Sequence, residues 1–384
     1  MDLESMYGEE LEMVRETARA FLRRRVEPRL SELENGTDER FWHDAAEAGL
    51  LGVAIPEDEG GAGADPLALC VISEELGRSP AGATLGSCLN ADMCTMFLIA
   101  NGADAQKQAW FPGIVSGDVI QCMALTEAES GSDAASIRTT AKRDGDHYVI
   151  NGAKTFISNG FKSHLMYVLA KTDTSKRGRG MSMFLVPADS PQITRRLIPT
   201  MGFPAGDTSE IFFDDVRVPV ENRLGEEGEG MKMFLPVIAL DRLQICARSL
   251  GAAEAAFRMT LEHTRNRKIF DQRLVDFQNT QFVLADMETD ISLGRALMRD
   301  AISKFRAGTL SDADSSILKI FMPEMEFRVL DKCVQLWGGA GWMDEMTISR
   351  MFTAARVQRI YAGATELQKA LLARRYMNAD LEII

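Results

Sequence analysis

The chain has no apolar run approaching the roughly 20 residues that span a bilayer. Its first residues, MDLESMYGEELEMVRETARAF, are acidic and amphipathic rather than signal-like. Both absences predict a cytoplasmic protein. Histidine is scarce, with His43, His147, His164 and His263 scattered along the chain, and none stands at ligand spacing. The cysteines (Cys70, Cys88, Cys94, Cys122, Cys246 and Cys333) lie far apart without a CxxC pair, so they read as small buried hydrophobes and no metal site is expected. HExxH, P-loop and GxSxG patterns are also missing, which removes the common metalloprotease, nucleotide-hydrolase and serine-esterase signatures. Positive charge is in deficit, and a net charge of -13 argues against a nucleic-acid surface, because counterion release needs clustered Lys and Arg.

What is present is a globular composition, 46% apolar and 26% charged over 384 residues, enough for two or three packed units. From Glu9 to Leu33 apolar residues recur at helical spacing (Leu11, Val14, Ala18, Phe21, Leu22), and Pro28 kinks or ends that helix. Further helices are predicted over Asp38–Gly49, Pro66–Leu76, Gly86–Ala100 and Ala103–Ser116. The glycines at 60, 61 and 63 lack dinucleotide-fingerprint spacing and read as a plain loop.

After Gly117 the period drops to two. Strands are predicted at Val119–Ala124, Leu165–Ala170, Met181–Val186 and Glu210–Val218, with a hairpin of His147–Ile150 and Lys154–Ser158 turning at Asn151-Gly152. From Gly228 the helical period returns in four long segments, Met231–Asn266, Phe277–Ala307, Ala313–Trp337 and Ile348–Arg375. The expected fold is α+β: an all-α unit over 1–118, a β-unit over 119–227 and an antiparallel four-helix bundle over 228–384. Within the β-unit, Thr126–Ser136 is small, hydroxylic and acidic around Gly131, backbone that can lie close against a polyanionic ligand.

Six stretches in order, LTEAESGSD (125–133), INGAKTFISNG (150–160), EIFFDDVRVPVENRLGEEGEG (210–230), RKIFDQRLVDFQ (267–278), QLWGGAGW (335–342) and IYAGATELQ (360–368), resemble the acyl-CoA dehydrogenase family along essentially the full chain. The resemblance implies non-covalent FAD between the β-unit and the bundle, an acyl-CoA substrate, a tetramer in which a neighbouring subunit completes each flavin site, and an electron-transferring flavoprotein as acceptor. Carried over by residue, Leu125 and Thr126 would lie along the flavin, and Ser132 would bond its phosphate region and border the substrate. Phe156 and Ser158 stand where the family usually has Trp and Thr. Arg267, Phe270, Gln278, Gln335, Gly338 and Gly339 would serve the cofactor of the neighbouring subunit, and Glu366 keeps a cofactor-associated position.

The implied reaction is α,β-dehydrogenation of an acyl thioester, and it needs a carboxylate base. Many members carry that base in a YEG segment, but this chain reads Tyr361-Ala362-Gly363; Ala362 can offer only its backbone N–H to the thioester carbonyl. A second group, including long-chain and isovaleryl-type enzymes, supplies the base from the first bundle helix in a segment resembling LERL, which here is Leu240-Asp241-Arg242-Leu243. Phe234, Val237, Ile238 and Ile245 set Asp241 in an apolar helical stripe. The alternatives for Asp241 are the α-proton base or an ion pair with Arg242 or Arg248; Arg242 is also a candidate for shaping the acyl-CoA site. Aspartate is one methylene shorter than glutamate, which fits a branched or ring acyl group seated nearer the helix, or a slower enzyme. Two further readings stay open: a same-fold flavoprotein with other chemistry, such as a monooxygenase or a carrier-bound thioester oxidase, and a non-catalytic partner subunit of a mixed tetramer.

Overall fold

The computed structural model describes residues 6–86 and 88–377. Helices α1 (Glu12–Phe21), α2 (Leu30–Leu33), α3 (Glu39–Glu47), α4 (Ala68–Arg78), α5 (Ala81–Leu85), α6 (Asp92–Asn101) and α7 (Asp104–Ser116) precede the sheet. Asp38 starts α3 by accepting the Phe41 N–H at 2.9 Å, the cap expected of an aspartate before a helix.

The sheet comprises β1 (Gln121–Ala124), β2 (Thr140–Asp144), β3 (His147–Ile157), β4 (Leu165–Lys171), β5 (Met181–Pro187), β6 (Ile193–Leu197), β7 (Ser209–Pro219) and β8 (Arg223–Leu224). Its order is β6-β7-β3-β2-β4-β5-β8, with β1 parallel to β4. Leu165 to Ala170 of β4 are buried on both faces, which is why that strand reads as one continuous apolar run.

The expected turn at Asn151-Gly152 is wrong. Both residues lie inside β3, and the chain reverses instead at Gly145 and Asp146, pairing Asp144 with His147. Gly152 has φ 146° at a register shift against β7, and a Cβ there would meet Thr139 Oγ1 at 2.5 Å. The glycine therefore answers close backbone approach at a bulge rather than a tight turn. Strands β2 and β6, with their short and charged sequences, escape the period-two reading.

After the sheet come α8 (Phe234–Asn266), a two-residue-stranded hairpin of β9 (Lys268–Ile269) and β10 (Gln272–Arg273), α9 (Gln278–Arg306), α10 (Asp312–Trp337), α11 (Thr347–Gln358) and α12 (Thr365–Met377). The single helix expected over Ile348–Arg375 is broken: Ala362 and Gly363 both take positive φ, at 52° and 91°. Helix α10 opens with a capping box, Ser311 Oγ accepting the Asp314 N–H and the Asp314 carboxylate accepting the Ser311 N–H, both at 3.1 Å. Its buried stripe runs Leu318, Met322, Met325, Val329, Cys333.

The chain forms two compact units, one of Met1–Glu27, Cys70–Thr84 and Ala239–Ile384, the other of Pro28–Leu69 and Leu85–Ile238. Along the sequence the architecture is a helical region, a central sheet and a second helical region. Among the described residues no helix is long and apolar enough to cross a membrane, and no group of His, Cys, Asp and Glu could hold a metal ion.

Candidate active site

In the sheet-containing unit, the chain after β1 is tied to β3. Thr155 N–H donates to the Thr126 carbonyl at 2.9 Å, and Lys154 Nζ donates to the Leu125 carbonyl at 2.9 Å. The same ammonium meets Glu127 Oε1 at 2.9 Å, and the Glu127 carboxylate also accepts the Arg138 N–H, the Thr139 N–H and the Thr139 hydroxyl. Burial would raise the Glu127 carboxyl, but Lys154 and Thr139 outweigh it and hold it below its ordinary value. Burial drives the Lys154 amine down to about 8 against the pull of Glu127.

This staple brings half-buried Leu125 and Thr126 beside Phe156 and half-buried Ser158. Phe156 is 64% exposed and has φ 59°. A large apolar ring in the left-handed region, held outward by a bonded frame, is stored strain of the kind that marks ligand-contacting positions. Such a wall fits a planar flavin. Ser132 is exposed in the adjoining loop, with open space around Gly131.

The other unit holds two separate groups of the expected residues. At one end, Arg267 follows α8, Phe270 forms the β9–β10 turn and Gln278 opens α9. His263 stacks on Trp337 with centroids 4.3 Å apart, and Trp337 Nε1 donates to Thr260 Oγ1 at 3.1 Å. These contacts bring Gln335, Gly338 and Gly339 to the same end. All six residues are exposed, Phe270 at 89%, and Phe270 and Asp271 both carry positive φ. Asn266 lies 25 residues beyond Asp241 on α8, about 37 Å at the helical rise of ~1.5 Å per residue. One chain therefore does not gather this group around its own Asp241. Glu366 is exposed in the first turn of α12.

Around Asp241 the second group is buried and charged. Neither arginine weighed as a partner bonds it: Arg242 Nη1 donates to Ser315 Oγ at 3.3 Å, and Arg248 Nη2 donates to the Gly82 carbonyl. Among the described residues the Asp241 carboxylate has no hydrogen-bond or ion-pair partner, and it keeps some accessible surface while packed among protein atoms. Burial pushes it up to about 6 against the lowering influence of Lys319 and Arg242. That is the charge state required of a base: ionised near neutral pH, yet poorly solvated. Buried Arg242 retains an unpartnered Nε. Half-buried Ala362 follows Tyr361, whose hydroxyl donates to the Gln358 side chain and is pushed up chiefly by burial, with Arg248 lowering it and Asp241 adding to the rise.

Residues 8–118, 122–216 and 228–377 match the models of the N-terminal, middle and C-terminal domains of acyl-CoA dehydrogenase. The chain belongs to the acyl-CoA dehydrogenase family. It is 34% identical over 378 residues to the mitochondrial long-chain specific acyl-CoA dehydrogenase of Rattus norvegicus, covering 97% of this chain and 88% of that one. The crystal structure of an acyl-CoA dehydrogenase from Geobacillus kaustophilus superposes with a TM-score of 0.92 at 37% identity, over 96% of this chain and 98% of that one. A glutaryl-CoA dehydrogenase from Mycobacterium smegmatis, solved in complex with FADH2, superposes at 0.90 with 26% identity, over 98% and 97% of the two chains. The acyl-CoA dehydrogenase family is one of oxidoreductases, and this member is one of them.

Sequence reasoning passed over Glu127, Lys154, Lys319 and Glu326. In this acyl-CoA dehydrogenase the last two stand one heptad apart in the apolar stripe of α10, a spacing that puts both charges on the buried face. Burial lifts the Glu326 carboxyl to about 8 against Ser249, Arg248 and Lys319, and its Oε2 has no partner. An acid whose folded value is raised stabilises the fold fully below about pH 4.5 and loses that contribution as pH climbs toward 8. Glu326→Gln is expected to leave thermal stability near pH 5 little changed and to raise it near pH 9, as read by melting curves; equal effects at both pH values would refute this.

Proposed function

We propose that this protein is a FAD-dependent acyl-CoA dehydrogenase that converts an acyl-CoA thioester to the trans-2-enoyl-CoA, with Asp241 as the α-proton base. The observation carrying this reading is a partnerless carboxylate on α8, raised to about 6, in a chain whose Ala362 offers no carboxylate. When bound, FAD supplies the acceptor for the β-hydrogen. Asp241 takes the α-proton on its carboxylate oxygen. Ala362, turned into the left-handed region, supplies its backbone N–H to the thioester carbonyl, and Arg242 and Ser132 border the acyl-CoA.

On the cofactor side, Leu125, Thr126, Phe156 and Ser158 line the ring, Ser132 faces the phosphates and Glu366 attends the cofactor. The exposure of Arg267, Phe270, Gln278, Gln335, Gly338 and Gly339, far along α8 from Asp241, supports their serving the FAD of a neighbouring copy in a homotetramer. The family resemblance supports an electron-transferring flavoprotein as acceptor.

Anaerobic addition of acyl-CoAs of graded length, branching and ring content tests the assignment. At least one should bleach the flavin and yield the enoyl-CoA. No bleaching by any thioester, with flavin bound, would sink it.

A further inference from the structure

Lys319 has no exposed surface, yet among the described residues its ammonium meets no carboxylate at ion-pair distance. Its Nζ donates to the Gln358 carbonyl at 2.6 Å and lies 5.7 Å from the centroid of the Tyr361 ring. Gln358 in turn accepts the Tyr361 hydroxyl through its side chain, so Lys319 is fixed against the turn that carries Ala362. On its other side, the bond from Arg242 to Ser315 brings the α8 backbone next to Asp241 against α10, and Ser315 lies one helical turn before Lys319. A buried ammonium with a single neutral acceptor is costly unless an opposite charge lies near.

The acids facing Lys319 are Cys246 and Asp241 on α8 and Glu326 on its own helix, and Arg242 is the cation beside it. Asp241 itself is faced by Lys319 from α10 and by Arg242 from its own helix, with Tyr361 beyond. Cys246 is pushed up to about 12 by burial and Glu326 up to about 8. Both are neutral near pH 7, which leaves Asp241 as the ionised acid opposite the ammonium.

We propose that Lys319 is a positioning residue for proton abstraction: its ammonium is the through-space counter-charge that holds Asp241 as a carboxylate, and its bond to Gln358 fixes that ammonium against the turn bearing Ala362. This rests on Asp241 being the base. Lys319→Gln keeps a donor for the Gln358 carbonyl and removes the charge, whereas Lys319→Arg keeps the charge.

The measurement is the pH dependence of anaerobic flavin reduction by acyl-CoA, alongside the pH dependence of the thermal midpoint of the FAD-bound protein, which requires no turnover. In the wild type the acid limb should fall near 6. In Lys319→Gln it should move up by roughly one pH unit or more, with reduction near pH 6 slowed several-fold and reduction near pH 9 little altered, while Lys319→Arg keeps the wild-type limb. The thermal midpoint should register the same displacement. An unmoved limb in Lys319→Gln, with Asp241→Asn inactive, overturns the role of Lys319 and leaves the base in place. A wild-type limb that survives in an active Asp241→Asn overturns both. If Lys319→Gln does not fold, the double variant Asp241→Asn/Lys319→Gln decides: recovery of folded yellow protein is expected, and failure of the double variant too makes Lys319 a strut unrelated to the charge of Asp241.

Discussion

Asp241→Asn is expected to stop flavin reduction by acyl-CoA while making the protein more resistant to unfolding above neutral pH. Asparagine has nearly the same shape and cannot accept the α-proton, so the rate should drop by about 10²–10⁴, the range that a positioned general base supplies. The stability gain follows from the same carboxyl. Its folded value is raised from 3.8 to about 6, with burial as the largest cause. The folded state therefore holds the proton more tightly than the unfolded chain, and stability is lost as pH rises through the window from about 4 to 6. A shift of that size corresponds to about 3 kcal/mol, and the accessible part of the carboxylate reduces it to about 2 kcal/mol. Asparagine carries no such loss, so melting curves of variant and wild type should coincide below about pH 4 and separate above about pH 7, the variant higher. The pair of results is diagnostic: the raised value already includes the attraction of Lys319 and Arg242, so only a charge pairing strong enough to outweigh burial would make Asp241→Asn less stable at pH 8. Normal bleaching by acyl-CoA in the variant would remove Asp241 from the chemistry altogether.

The order of helices, sheet and helices is legible because the apolar period changes at Gly117 and again at Gly228, and Asp241 is conspicuous because a carboxylate interrupts a stripe of Phe234, Val237, Ile238 and Ile245. Turn and charge detail is less legible. Asn151-Gly152 carries the strongest local hairpin signal in the chain, yet the residue that matters there is Thr139, whose proximity demands a glycine and is fixed by strand pairing rather than by neighbours in sequence. The break after Gln358 has no proline to announce it; Thr365 N–H and Oγ1 both turn back to the Arg359 carbonyl, and Ala362 accepts positive φ. Lys154 and Lys319 look like ordinary surface charges because their partners lie 27 and 39 residues away, at Glu127 and Gln358, and Glu326 because its burial comes from packing of distant segments. Pattern reading assigns Lys and Glu to solvent by default, and only the pairing of distant segments shows otherwise.

Glu127→Gln should be the most damaging conservative change in the sheet-containing unit. The Lys154 ammonium has no exposed side-chain surface, and Glu127 is its charged partner, so the substitution leaves a buried cation facing an amide, a loss of about 3–5 kcal/mol when one member of a buried pair is removed. A glutamine oxygen in the Oε1 place can still accept from Thr139 and the ammonium, which keeps the chain near its path, but the amide nitrogen then points a donor at the Arg138 N–H; flipped, it points one at the ammonium and the Thr139 N–H. Lys154 has a partial escape: with its value already lowered to about 8 by burial, the loss of Glu127 lowers it further and the amine sheds its proton. For a lysine depressed in the folded state, the penalty grows as pH falls, so the destabilisation of Glu127→Gln should be larger near pH 6 than near pH 9. Because the same ammonium bonds the Leu125 carbonyl at 2.9 Å, loosening it frees Leu125 and Thr126 from β3. Flavin retention through gel filtration should fall in parallel with stability, even though Glu127 itself is not placed against the cofactor. The double variant Glu127→Gln/Lys154→Met removes the stranded charge and should recover much of the lost stability, whereas flavin retention should recover less, since the bond to Leu125 is gone. A Glu127→Gln protein that melts within about 0.5 kcal/mol of wild type, at both pH values, would show that the Thr139 and Arg138 bonds alone hold this loop against β3.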